Sequence, residues 1–236
     1  MTEASGNERI IKLLEDIPLF GGMAPDELGH LAALLIEEEY AKGASVVNVG
    51  DPGDALFIVG EGEVKVSLSS ENGREIILDT LEAGSFFGEM SIVDGEARSA
   101  NVICTKKSFL LKLSRRDFLK AVRQFPSIAI NVMTELCVRL RRADESIENL
   151  ALLDVFGRVA RFLIERADEE GEDVEEGLYV RKMPTQQHIG SCIGTSRETV
   201  SRALSDFQRR GFVEQRGRGL LVREGFTVKA ATRSVR

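Results

Sequence analysis

The chain holds 236 residues, 43% hydrophobic and 29% charged, with a formal net charge of −7. That is enough for one large core or two modest ones, in the range of ordinary globular proteins. No apolar run approaches the ~18 residues of a membrane span, and the polar start MTEASGNERI does not read as a signal peptide. Three scattered cysteines (Cys104, Cys137, Cys192) and two histidines (His30, His188) argue against a disulfide framework, histidine catalysis or a metal site, and for a reducing cytoplasmic setting. The charge is unevenly divided. Residues 181–236 carry 12 Lys and Arg against 4 Asp and Glu, a net of +8, and the rest of the chain carries 19 against 34, a net of −15. A basic tail on an acidic body is the footprint of a nucleic-acid-binding module attached to a body with another task.

Residues near 7–16 are expected to form a short amphipathic helix on Ile10, Ile11, Leu13 and Leu14, and Pro18-Leu19-Phe20 then turns the chain. Pro25 opens a second short helix with Leu28, Leu31, Ala32 and Leu35, His30 being on its solvated side. From about residue 38 to 113 the pattern changes to short strands: Val46-Val47, Ala55–Val59, Val64–Leu68, Ile76–Leu81, Ala100–Cys104 and Phe109–Leu113. Turns fall at Gly50–Gly53, Gly60–Gly62, Glu71-Asn72-Gly73 and Asp94-Gly95. Strands at this spacing predict a barrel or jelly roll, with Cys104 in its core.

One stretch, GSFFGEMSIVDGEARSANV (84–102), interrupts those strands as a ligand loop would. Gly84 and Gly88 permit close backbone approach, and the amides of Gly88, Glu89, Met90 and Ser91 open a helical turn as anion donors. Arg98 offers a planar fork for a phosphate, Ser99 a hydroxyl, and Glu89 an acceptor suited to a sugar hydroxyl. These residues describe a phosphate–ribose cradle, although a salt-bridged surface loop reads from them equally well. FGEM followed by ARSA resembles the phosphate-binding cassette of cyclic-nucleotide-binding domains, and DALFIVGEGEVKVSL resembles the glycine hairpin of the same family. The resemblance implies that Gly88, Glu89, Arg98 and Ser99 hold a cyclic phosphate and the ribose 2′-hydroxyl.

Ser114 is expected to cap a short helix (115–123). Pro126 then opens a long helix to about Leu153, with an apolar seam at Val132, Leu136, Leu140, Ala143, Ile147 and Leu150. Such a narrow seam predicts a homodimer, and Cys137 merely flanks it. Past Asp154 a second domain begins with an amphipathic helix (155–166), an acidic solvated loop (168–177) and a strand (178–182). Thr185 and Ser196 then cap two short helices separated by Gly194, with Ile189, Ile193, Val200, Ala203, Leu204 and Phe207 on their buried faces. This is a helix-turn-helix, followed by a hairpin wing around Arg216–Gly219. Arg197, Glu198 and Arg202 stand at the exposed start of the second helix, where guanine and cytosine edges are read. Thr185, Ser196, Thr199 and Arg218 are placed for phosphates, which position without specifying, and Gln186 completes the DNA-contacting set.

GRVARFLI, TQQHIGSCIGTSRETVSRAL and the wing resemble the winged-helix domain of CRP/FNR-type bacterial transcription regulators. The resemblance implies an α+β chain with three parts. These are a cyclic-nucleotide-binding jelly-roll barrel (1–124), a dimerisation helix (125–153) and a winged helix-turn-helix (154–236). It further implies a TGTGA/TCACA-like palindrome read by Arg197, Glu198 and Arg202, an RNA polymerase partner, and no enzymatic activity. Cyclic-AMP-binding members carry a Thr-Ser pair on the long helix, at the positions of Ala143 and Asp144 here. Ala143 offers no hydrogen bond, and Asp144, an acceptor, matches the N–H edge of guanine better than adenine. The effector is therefore cyclic AMP, cyclic GMP or cyclic di-GMP. A ligand-independent regulator with a vestigial site is the alternative, and a regulatory module of an enzyme complex a remote one.

Overall fold

The structure, a computed structural model, describes residues 3–70 and 72–232; of the turn expected at Glu71-Asn72-Gly73, Glu71 lies outside the described residues. The chain divides into two compact units, Met1–Leu140 and Arg141–Arg236, each with its own core.

The first unit opens with α1 (Glu3–Glu15), a 3-10 turn at Pro18–Phe20, and α2 (Pro25–Ala32). Pro25 stands in the first turn of α2, where its missing N–H has no partner to lose, and Glu27 accepts from the Ala24 N–H at 2.8 Å. Strands β1 (Ile36–Tyr40), β2 (Ser45–Val47), β3 (Ala55–Glu61), β4 (Glu63–Ser69), β5 (Glu75–Glu82), β6 (Phe86–Phe87), β7 (Asn101–Cys104) and β8 (Ser108–Ser114) follow. The short helix α3 (Glu89–Asp94) lies between β6 and β7. They form two antiparallel sheets, in the orders β1-β8-β3-β6 and β2-β7-β4-β5. Alternation along β3 shows how the unit is layered. Ala55, Phe57 and Val59 join Val64, Val102 and Cys104 in the core between the sheets. Leu56 and Ile58 face the other way, into a second core with Leu14, Leu31, Phe118 and Ile128. Both faces of β3 are therefore buried, and its sequence is a continuous apolar run rather than an alternating one.

Two strands of the first unit were not expected from the sequence. In β1 the run Glu37-Glu38-Glu39 hides any alternation, and pairing with β8 is what makes it a strand, with Lys107 and Lys112 supplying cations to Glu39 and Glu38. Only two residues long, β6 exists because Phe87 stacks on Phe57 at 5.2 Å.

Ser114 caps α4 (Arg115–Gln124), its hydroxyl accepting from the Asp117 N–H at 3.1 Å. The long helix α5 (Ser127–Leu152) starts on the first unit, with Ile128 and Val132 buried in that unit's core and Leu136 packed against it. Val132 is thus not part of a free seam. Met133, half exposed, takes its place, and the apolar series becomes Met133, Leu136, Leu140, Ala143, Ile147, Leu150, a strict three-four alternation. Periodicity alone could not choose between the adjacent apolar residues Val132 and Met133.

The second unit contains α6 (Val155–Glu170), β9 (Glu172–Val174), β10 (Gly177–Val180), α7 (Gln186–Ile193), α8 (Arg197–Arg209), β11 (Val213–Arg216) and β12 (Gly219–Arg223). Its strands form one antiparallel sheet in the order β11-β12-β10-β9. The acidic stretch 168–177 corrects the expected loop: α6 runs on to Glu170, and 172–174 pairs with β10. Ala167-Asp168-Glu169-Glu170 has fair helix propensity, and an Arg166–Glu170 ion pair at 2.8 Å spans the last turn. β9, whose three residues are all exposed, is held by backbone pairing and by an Arg181–Glu172 ion pair.

Candidate functional site

In the first unit the sheets and α3 enclose an open pocket of about 430 Å³, measured out to its solvent-facing mouth. Val47, Val66, Phe87 and Val102 give it apolar walls, and Gly88, Glu89, Met90, Ser91, Arg98 and Ser99 a polar end. The cradle expected from sequence is thus assembled in one place. Gly88 takes φ 87°, the left-handed region, and a β-carbon there would lie 2.4 Å from Arg98 Nη1. Only glycine lets the strand turn into α3 while the guanidinium passes this close.

Arg98 is 4% exposed. Its Nη1 donates to the Gly88 carbonyl at 3.0 Å and its Nη2 to the Ala55 carbonyl at 2.6 Å, while Nε is buried with no partner. Burial pulls its pKa below the usual guanidinium value, opposed by Asp54, Glu89 and Asp51. Glu89, 2% exposed, accepts from Arg139 Nη1 at 3.1 Å through Oε1, and its Oε2 is buried and unpartnered. Burial raises the Glu89 pKa, and the Arg139 charge works against that rise. Ser99 is exposed and its hydroxyl lies 3.9 Å from Met90 Sδ.

Arg139 was not anticipated. It reaches the pocket from α5, donating also to the Phe86 carbonyl at 2.6 Å and to Glu135 at 2.9 Å, with its guanidinium 5.1 Å from the Phe86 ring. Fifty residues separate it from Glu89, and it lies off the apolar seam of the long helix, so no local pattern pointed to it. Ala143 and Asp144 are exposed positions of α5 on the other side of the unit boundary, whereas every residue lining the pocket belongs to the first unit.

A buried carboxylate oxygen and a buried guanidinium nitrogen, both without partners, carry an uncompensated desolvation cost in this site. A ligand with an anionic group, a donating hydroxyl and a flat apolar part fits that donor and acceptor set. Among the described residues no cluster of His, Cys, Asp and Glu could hold a metal ion, and no helix is long and apolar enough to cross a membrane.

In the second unit, Thr185 Oγ1 accepts from the His188 N–H at 3.2 Å and caps α7; Ser196 Oγ accepts from the Thr199 N–H at 3.2 Å and caps α8. Gly194 ends α7 at φ 69°, and the Thr195 N–H returns to the Gly190 carbonyl at 2.8 Å. Val200, Ala203 and Phe207 are buried, so Arg197, Glu198 and Arg202 face outward. Arg202 Nη2 donates to Thr199 Oγ1 at 3.0 Å, and the Glu198 pKa is lowered, first by its own backbone N–H and then by Ser196. Gln186 is half buried at the start of α7.

The wing is less basic than its sequence. Arg216 is paired with Glu214 at 2.9 Å and Glu176 at 2.7 Å, and Arg223 with Glu214 at 2.6 Å. Those hydrogen bonds raise the Arg216 pKa and lower that of Glu214. Among the described residues of the wing, Arg218, exposed at the tip, is in no ion pair.

Residues 37–125 match the model of the cyclic nucleotide-binding domain, and residues 157–224 that of the Crp-like helix-turn-helix domain. A CRP-like cAMP-activated global transcriptional regulator of Mycobacterium tuberculosis is 31% identical over 89% of this chain and 94% of its own length. The Cyclic AMP receptor protein of Thermus thermophilus is 34% identical over 83% of this chain and 88% of its own. Among solved structures, the c-di-GMP responsive global regulator CLP of Xanthomonas campestris superposes with a TM-score of 0.74. At 24% identity it covers 85% of this chain and 99% of that one, and establishes the shared fold.

Proposed function

We propose that this chain, which belongs to the CRP/FNR family of DNA-binding transcription regulators, works as a homodimer whose DNA binding is gated by a cyclic nucleotide. Its parts are an effector domain over 1–124, a dimerisation helix over 125–153 and a DNA-reading domain over 154–236. The observation that carries the gating is the apolar-walled pocket in which Glu89 and Arg98 each keep a buried atom unpartnered. Bound there, a cyclic nucleotide would set its phosphate against Arg98, Ser99 and the first amides of α3, and its ribose hydroxyl against Glu89. One Arg98 donor would then leave a backbone carbonyl for the phosphate, exchanging a neutral acceptor for an anionic one, which favours the ligand.

Cyclic AMP is the leading effector because the two relatives described above, 31% and 34% identical, carry it in their names. The substitution of a Thr-Ser pair by Ala143 and Asp144 favours a second reading, in which the base is guanine or the site is vestigial. Calorimetric titration of the full chain with cyclic AMP, cyclic GMP and cyclic di-GMP separates these. The expected result is binding of cyclic AMP that survives Asp144→Ala. Preference for a guanine nucleotide, lost in Asp144→Ala, would make that residue the base reader, and no binding at all would leave a regulator without a nucleotide effector.

Dimerisation is supported by the exposed face of α5, where Met133, Leu140, Ile147 and Leu150 stand at heptad spacing and are each more than half exposed in the single chain. A twofold copy covers this face most economically. Leu140→Glu is expected to turn the dimer into a monomer in sedimentation at micromolar protein; an unchanged mass would put the interface elsewhere. The DNA partner would be a TGTGA/TCACA-like palindrome read by Arg197, Glu198 and Arg202, with Thr185, Gln186, Ser196, Thr199 and Arg218 on phosphates. RNA polymerase would be the second partner and the cytoplasm the place of action.

A further inference from the structure

Arg158 lies in the first turn of α6, half buried. Its Nε donates to the Ile193 carbonyl at 3.2 Å and its Nη1 to the Leu153 carbonyl at 3.1 Å. Ile193 is the last residue of α7, and Leu153 directly follows the last residue of α5. Both carbonyls belong to helix C-terminal ends, where the intrahelical ladder has run out and partial negative charge collects. A planar guanidinium can serve two such ends at once, since its donors diverge and its charge suits both. The turn around Arg158 is itself fixed: Asp154 Oδ1 accepts from the Gly157 N–H at 2.7 Å, and Val159 and Ala160 are buried. One residue beyond Ile193 begins the turn of Gly194, Thr195 and Ser196, which leads into α8.

We propose that Arg158 is a positioning residue that ties the end of α5 to the turn of the helix-turn-helix, so that displacement of the last turn of α5 is passed to the start of α8. The inference rests on α7 and α8 being the DNA-reading pair and is independent of which effector the first unit takes. A rival route exists. A β-carbon built on Gly194 would lie 4.0 Å from Leu150, so apolar contact between α5 and the turn could carry the same displacement without Arg158.

Hydrogen exchange on the full chain distinguishes the two. The amides of Gly194 and Thr195, both bonded to the Gly190 carbonyl, report on the turn. Ala151 is exposed in the last turn of α5, so Ala151→Gly loosens that turn through backbone freedom alone. With Arg158 present, Ala151→Gly is expected to speed exchange at both reporter amides several-fold; in an Arg158→Ala background it should add less than a twofold change. Equal acceleration in both backgrounds, or none with Arg158 present, would overturn the tie. Should Arg158→Ala fail to fold, Arg158→Lys keeps the charge, lacks the fork, and carries the same expectation. Binding of a labelled TGTGA/TCACA duplex by the unaltered chain is measured alongside. Its failure would count against the DNA reading, while the exchange result still decides the tie.

Discussion

Arg98→Ala is expected to weaken cyclic AMP binding by roughly 100-fold or more in a calorimetric titration. Two charge-assisted bonds to a phosphate contribute about 1.5–3 kcal/mol each, and each ~1.4 kcal/mol is tenfold. The substitution also removes the side-chain donor that the Gly88 and Ala55 carbonyls share, so the unliganded protein should melt at a lower temperature. Arg98→Lys separates the two effects. It keeps the charge but cannot reach phosphate and carbonyl together, and an intermediate affinity is expected. Unaltered affinity in both variants would remove the phosphate from this pocket. Acid acts on the other half of the site. Because burial raises the Glu89 pKa, its acceptor is protonated at a higher pH than an ordinary glutamate, and nucleotide affinity should fall on acidification while pH is still above ~4.5.

At the DNA surface, Arg197→Ala and Arg202→Ala are each expected to lose about 1–3 kcal/mol of discrimination at one guanine of the site, read as a narrowed gap between cognate and single-substituted duplexes. The caps at Thr185 and Ser196 and the buried Val200, Ala203 and Phe207 are untouched by either change, so α8 should keep its place. Arg218→Ala is the contrasting case: affinity should fall about equally for every duplex, and the slope against log salt should drop by about 0.9 per lost phosphate contact. Full discrimination in the Arg197 and Arg202 variants would mean that another surface reads the bases.

Much of this was legible in the sequence because the signals were local. The helix-turn-helix needs caps, a left-handed glycine and a buried face within thirty residues, and Thr185, Ser196, Gly194 and Phe207 are close neighbours in the chain. That Gly88, Glu89, Arg98 and Ser99 meet around one pocket was legible for the same reason, Gly88 and Arg98 being ten residues apart. What was missed depends on distant partners. Arg139 enters the pocket because α5 packs back onto the barrel, and β1 is a strand because β8 lies beside it. Ionic pairing hid the rest: three glutamates masked β1, acidic residues disguised the end of α6 and β9, and Glu176 and Glu214 neutralise a wing arginine that sequence alone left free.

The sheet orders also say something about how the chain is made. Ile36 pairs with Lys112, Ala55 with Ser114 and Val64 with Cys104, so nearly every ladder of the first unit joins residues that emerge far apart in synthesis. Closing such long loops costs entropy before any contact offsets it, and topologies of this kind fold slowly. Until β8 has left the ribosome β3 lacks its longest pairing partner, and until α4 and α5 follow, the face that meets Phe118 and Ile128 is incompletely covered; a nascent chain halted in that interval would present part of the apolar run Ala55–Val59 to its surroundings. The second unit is assembled from neighbours, α7 with α8 and β11 with β12, and should collapse soon after it emerges.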